Sequence, residues 1–131
     1  MTKSRVVIAV HANWAVQRRQ PLIDVDQENL IREVICWQLA RLRCPFIAFG
    51  AAPDHVHVLF LLRSMCSCEH VLRALKSASV AALHRRSDQA FRWQQGYGVF
   101  SVSRPLIPTA TTYVLNQRRH HADGTTIAAY E

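Results

Sequence analysis

Lysine is nearly missing from this 131-residue chain: fourteen of its sixteen cations are arginine, and only Lys3 and Lys76 are not. Acid is scarce too, with nine Asp and Glu, and the formal net charge is +7. Arginine carries a planar fork of donors that matches phosphate, so nucleic acid is the partner this charge favours, although a merely basic surface would give the same count. No apolar run approaches the roughly 20 residues a membrane span needs. The opening residues Met1 to Arg5 pass straight into Val6-Val7-Ile8, unlike a signal peptide. A cytoplasmic protein without membrane association is the expectation. The four cysteines, at 36, 44, 66 and 68, form no Cys-x-x-Cys pair. That argues against a zinc ribbon or a thioredoxin-type redox site, and reduced thiols are expected. With half its residues hydrophobic, the chain can bury a core. A single domain over 1–131 is expected, with a core over about 5–121 and a short tail over 122–131.

Hydrophobic periodicity gives the element order. The β-branched run in Arg5 to Trp14 predicts a strand. After the basic loop Gln17 to Pro21, Asp24 or Asp26 can cap a helix whose apolar face is Leu30, Ile31, Val34, Ile35, Leu39 and Leu42, ending near Pro45. Two apolar runs, Phe46 to Ala51 and His55 to Leu62, flank Ala52-Pro53-Asp54 and predict an antiparallel hairpin. A second helix starts near Ser67 and carries Val71, Leu72, Leu75, Ala82 and Leu83. Residues 87–96 are polar and loop-like, Gly98 to Ser103 predicts a fourth strand, and Pro108 suits the first turn of a last helix over about 109–122. The order β-α-β-β-α-β is the ferredoxin-like arrangement, an antiparallel sheet with two helices on one face. The fold class is therefore α+β, with an additional C-terminal helix and a second sheet face that needs a cover.

Two short motifs carry chemistry. In His55-Val56-His57-Val58, strand alternation points both imidazoles to one face, where they can share a metal ion; two histidines on a half-exposed strand need no metal, and the motif is short. In Tyr113-Val114-Leu115-Asn116-Gln117, the helical repeat stacks Tyr113 over Gln117, as it also would in an ordinary amphipathic helix with a tyrosine at its core edge.

In combination the motifs resemble the HUH-superfamily single-tyrosine transposases of small bacterial insertion sequences, which move as single-stranded DNA. His11 to Trp14 with Arg19 to Ile23, Pro53 to His57, Leu75-Lys76-Ser77, Trp93-Gln94, Gly96 to Ser103 and Tyr113 to His121 all occur in the family's order, over about residues 5 to 121. The chain departs from the family at Val16-Gln17, where many members carry Thr-Lys, and at Arg119, where an acidic residue often precedes the two histidines. The resemblance implies a catalytic Tyr113 and a divalent metal, magnesium or manganese, on His55, His57 and Gln117. It further implies a 5′-phosphotyrosine intermediate, hairpin-bearing single-stranded DNA as partner, and a homodimer with composite active sites. Arg18, Arg19, Lys76, Arg85, Arg86, Arg118 and Arg119 are candidate DNA contacts, each also readable as a solvated surface charge. His120 and His121 can lie near Gln117, as extra ligands, phosphate contacts or exposed residues. Trp93, Tyr97 and Phe100 can stack on bases, with core packing the simpler reading for Phe100. A domesticated REP-associated type of HUH protein, or a hairpin-binding relative without catalysis, is the alternative. The loop Arg104 to Pro108 is stiffened by two prolines, which favours projection of the last helix onto a partner chain, although a rigid loop can equally place it on its own chain.

Overall fold

The computed structural model describes residues 4–86 and 88–124. Chain order is β1 (Ala9–Ala15), a 3-10 turn (Gln17–Arg19), α1 (Val25–Arg41), β2 (Phe46–Ala52), β3 (His55–Leu61), α2 (Cys68–Arg85), β4 (Gly98–Val102), a second 3-10 turn (Arg104–Leu106), α3 (Ile107–Leu115) and α4 (Gln117–Asp123). The four strands form one antiparallel sheet in the order β2-β3-β1-β4. This is the expected α+β, ferredoxin-like layout. Most of the expected tail lies outside the described residues, as do Met1 to Lys3.

Local chemistry accounts for the helix starts. Asp24, not Asp26, caps α1. Its carboxylate accepts from the Gln27 backbone N–H at 3.0 Å while Gln27 Oε1 accepts from the Asp24 N–H at 3.2 Å, a reciprocal capping box. The Ser67 hydroxyl caps α2 by accepting from the His70 N–H at 3.1 Å. Ile31, Ile35 and Leu39 on α1, with Val71, Leu72, Leu75 and Leu83 on α2, are fully buried against the Val10, Ala12, Trp14, Phe49, Val56, Val58 and Phe60 face of the sheet. Burying each large apolar side chain contributes about 1.5–3 kcal/mol.

Two boundaries differ from the sequence expectation. Val6, Val7 and Ile8 precede β1 and are half exposed, so the first strand begins at Ala9. β-branched composition favours extended backbone, but the ladders stop at Ala9–Leu61 with β3 and Ala9–Val102 with β4, and beyond them the Leu62 N–H donates to the Ile8 carbonyl at 2.7 Å without continuing the strand. The last helix is two helices. Asn116 sits between them at φ −106° and ψ 30°, and its side-chain amide donates to the Thr112 carbonyl at 2.8 Å, a local bond that competes with helix continuation.

α3 and α4 cover the second face of the sheet. Within the chain, α3 follows the Pro-containing turn and lies on β2 and β3 of its own sheet. Ala48 and Leu59 on the sheet pack with Ala110 and Val114 on α3. The seat is Gly50, where a Cβ would lie 1.7 Å from the Val114 carbonyl oxygen and 3.2 Å from Gln117 Cγ. Only a residue without a side chain lets helix backbone approach strand backbone this closely.

Gly50→Ala is therefore expected to lower the unfolding free energy by about 2 kcal/mol or more, since α3 must lift to clear the methyl. Urea denaturation measures it; an unchanged midpoint would show that α3 does not rest on Gly50.

Candidate active site

Strand register builds the site. On β3, His55, His57 and Leu59 share the face covered by α3, and on β1 His11 and Asn13 share it too, because Asn13 pairs with His57 and His11 with Leu59. Gly50 of β2 pairs with His57 from the other side. His11 and His57 are fully buried, and His55 is 5% exposed.

The imidazoles are held by their outer nitrogens. His55 Nδ1 lies 2.7 Å from Asp54 Oδ1. An ionised carboxylate only accepts, so Nδ1 is the protonated nitrogen and Nε2 carries the lone pair. Arg19 Nη1 lies 3.4 Å from the same Nδ1 and 3.6 Å from Asp54 Oδ2. A guanidinium only donates, so Arg19 is paired with the carboxylate, not the ring. His57 Nδ1 is hydrogen-bonded to His11 Nε2 at 2.7 Å.

α3 and α4 bring the second motif onto these rings. Tyr113 is 3% exposed, with its ring centroid 6.1 Å from that of His57. Gln117 is 1% exposed; its Nε2 donates to the Tyr113 carbonyl at 3.0 Å, while its Oε1 is buried and receives no hydrogen bond among the described residues. The break at Asn116 also carries in the next two side chains. His120 stacks on Tyr113, centroids 4.6 Å apart and rings inclined by 19°, and His121 meets His55 edge-on at 4.4 Å. One nitrogen from each of His55, His57 and His121 lies within 4.8 Å of the others. Imidazole nitrogens gathered this closely, together with a buried Gln117 amide oxygen that receives no hydrogen bond among the described residues, are a donor set that suits a divalent cation.

The basic residues divide by location. Arg18 and Arg19 have left-handed backbone, φ 59° and 54°, a conformation costly for side-chain-bearing residues, and this turn places Arg19, its side chain 60% exposed, beside His55. Lys76 instead donates to the Gln94 and Gly96 carbonyls, both at 2.9 Å, and burial holds its ammonium below the usual lysine value. Arg118 is engaged by Glu28 Oε2 at 3.1 Å and the Ile23 carbonyl at 2.9 Å, tying α4 to the start of α1. Arg85 and Arg86 end α2, in the layer on the other side of the sheet, and Arg119 is exposed on α4. Trp93 belongs to the core: its ring meets Trp14 and Phe91 edge-on and its N–H donates to Ser79 Oγ at 3.0 Å. Phe100, expected in the core, is 40% exposed beside His11, because β4 is an edge strand whose outward positions no element covers. Tyr97 is also exposed.

Residues 4–117 match the sequence profile of the family described as Transposase IS200 like. The chain belongs to the IS200-like transposase family. Among solved structures, this transposase resembles a provisionally named transposase from Deinococcus radiodurans R1 at 21% identity and a TM-score of 0.68, covering 90% of this chain and 98% of the other. It also resembles a REP-associated tyrosine transposase bound to a REP hairpin, at 16% identity and a TM-score of 0.66, covering 92% and 74%. At these identities the likeness is one of fold. No curated protein matches. No helix among the described residues is long and apolar enough to cross a membrane.

The sequence motifs named His55, His57, Tyr113 and Gln117, and the fold brings them together. His11 was missed as a site residue. Its signal is the same alternation that flagged the β3 histidines, legible only once β1 is placed beside β3. His11→Ala is expected to cost on the order of 3 kcal/mol, from a cavity and a lost buried hydrogen bond. Alanine at the exposed His70 serves as reference and should stay within about 0.5 kcal/mol. Equal unfolding midpoints for the two variants would contradict a packed, bonded His11.

Proposed function

We propose that this transposase cleaves and rejoins single-stranded DNA through a covalent bond to Tyr113. The observation that carries the reading is that the Tyr113 ring stands 6.1 Å from the His57 ring while Gln117 is buried on the same sheet face, its amide donating to the Tyr113 carbonyl. In the reaction the Tyr113 phenolic oxygen attacks phosphorus as its proton leaves. The 3′ oxygen departs and takes up a proton, giving a 5′-phosphotyrosine and a free 3′ hydroxyl. The new bond conserves the phosphodiester energy, so a second 3′ hydroxyl can attack it, expel the tyrosine and join strands without ATP.

A free phenol ionises near pH 10 or so, and attack at neutral pH needs cationic charge nearby. His55, His57 and Gln117 would hold a divalent ion, magnesium or manganese, which when bound supplies Lewis-acid charge at the scissile phosphate. Asp54 and His11 orient the two imidazoles, and His120 holds the plane of the tyrosine ring. Tyr113 is 3% exposed, so the site opens to admit a phosphodiester.

Of the basic candidates, Arg18, Arg19 and Arg119 are the proposed phosphate contacts, since they lie on the elements that carry or flank the histidines and the tyrosine. Lys76 and Arg118 contribute by shaping loops and helices, and Arg85 and Arg86 serve DNA only if it wraps to the opposite layer. Hairpin-bearing single strands are the proposed substrate, a reading supported by the likeness to the hairpin-bound REP-associated transposase. That same likeness favours the second reading, a REP-associated type of protein or a relative that binds hairpins without cutting them. The family resemblance also implies a homodimer with composite sites, whereas the packing of α3 on its own sheet supports a site built by one chain. Co-expressing tagged Tyr113→Phe and His57→Ala chains separates the two: recovered cleavage requires exchange of α3 between chains, and continued inactivity of the verified heterodimer means assembly within one.

Tyr113→Phe is expected to abolish the adduct with a labelled single-stranded hairpin oligonucleotide on a denaturing gel, with hairpin binding retained. Chelation should likewise stop adduct formation by the wild type, and added magnesium or manganese should restore it. An adduct persisting in the Phe variant would put the nucleophile elsewhere. Hairpin binding by the wild type without any adduct would favour the non-catalytic reading.

A further inference from the structure

We propose that His121 is an additional metal ligand, making the centre a three-imidazole site closed by the Gln117 amide. The inference rests on the metal reading above and extends it from three donors to four. Its basis is geometric. Donor nitrogens of His55, His57 and His121 fall within 4.8 Å of one another. Imidazole–metal bonds are about 2.1 Å long, so three such donors around one ion stand roughly 3–3.5 Å apart. Closing the remaining gap takes a side-chain adjustment, not a refolding. His55 and His57 are fixed by strand pairing and by Asp54 and His11. His121 is exposed, on a seven-residue helix beyond the Asn116 break.

Residue spacing supports the same conclusion. Positions 117, 120 and 121 stand in the relation i, i+3 and i+4, one face of α4, and across the Asn116 break this face meets Tyr113 and His55. That face of α4 carries Gln117, His120 and His121 toward a sheet surface of histidines and the Tyr113 ring. His120 is occupied by the tyrosine ring, which leaves His121 as the imidazole directed at His55.

Donor chemistry sets the metal class. Two imidazoles and an amide leave oxygen-preferring ions such as magnesium competitive. A third imidazole shifts preference toward the later first-row divalent ions, of which cobalt, nickel and zinc bind nitrogen donors more strongly.

The test is cobalt(II) titration of the purified wild type and of His121→Ala, His55→Ala and His57→Ala, followed by the visible ligand-field bands. Thermal melting without metal checks that each variant is folded. The wild type is expected to give intense bands of low coordination number. His121→Ala should bind cobalt about tenfold or more weakly, with fainter bands that added imidazole restores, since losing a ligand costs at least what losing an orienting partner does. Magnesium affinity, read by competition against cobalt, should change less than twofold or so, because magnesium gains little from a third imidazole. If His55→Ala and His57→Ala weaken cobalt binding but His121→Ala matches the wild type in affinity and spectrum, His121 is not a ligand and the three-donor centre stands. If a folded His55→Ala and a folded His57→Ala both bind cobalt as the wild type does, the metal reading itself fails, and this proposal with it.

Discussion

The approach of α3 to the sheet at Gly50 is the contact on which the rest of the site depends. A helix normally packs about one side-chain length above a sheet, yet the Val114 carbonyl occupies the space where a Cβ of Gly50 would stand. The neighbouring inward positions on β2 are small as well, Ala48 and Ala52. Because Gly50 pairs with His57, the place where the helix comes closest is also the place where the histidines stand. Seating Val114 there sets Tyr113 against His57 and leaves the stem of Gln117 over the glycine. A bulkier residue at 50 would separate the tyrosine from the imidazoles without altering either motif.

The break at Asn116 adds a second constraint. It ends α3 after nine residues and lets α4 start at Gln117 with its own direction. Arg118 then anchors α4 through Glu28 and the Ile23 carbonyl, at the entrance of α1. The anchor is an ion pair partly exposed on both sides, so it contributes modestly to stability and more to direction. With α4 directed this way, His120 lies on the tyrosine ring and His121 reaches His55. The concentration of histidines is thus produced by a strand pair on one side and a broken helix on the other, and part of each polar group so buried is tied to a partner: Asp54 to His55, His11 to His57, and the Tyr113 carbonyl to the Gln117 amide N–H.

Charge is distributed by the same architecture. The net charge of +7 does not form one continuous surface of equivalent arginines. Lys76 clamps the 94–96 loop to α2, Arg118 clamps α4 to α1, and Arg85 and Arg86 sit behind the sheet. Arg19 stands at the histidines, on a turn with two successive left-handed residues. Such a turn costs conformational energy, and in return it directs a guanidinium to the side of the molecule where a phosphate would be handled.

Periodicity in the sequence determined which residues share a face. The two-residue repeat placed His55 with His57, the helical repeat placed Tyr113 with Gln117, and capping residues with apolar stripes located α1 and α2; these are local rules, set by backbone geometry over a few residues. Val6 to Ile8 misled because β propensity cannot report whether a neighbouring strand is there to pair. The tertiary structure decided which faces meet. That α3 rests on β2 and β3, that His11 joins from a strand 46 positions away, and that Lys76 and Arg118 serve loops and helices all depend on contacts between segments distant in the chain. The close approach at Gly50 is the physical reason: one glycine in a strand is an unremarkable letter until a helix backbone needs the space its missing side chain leaves.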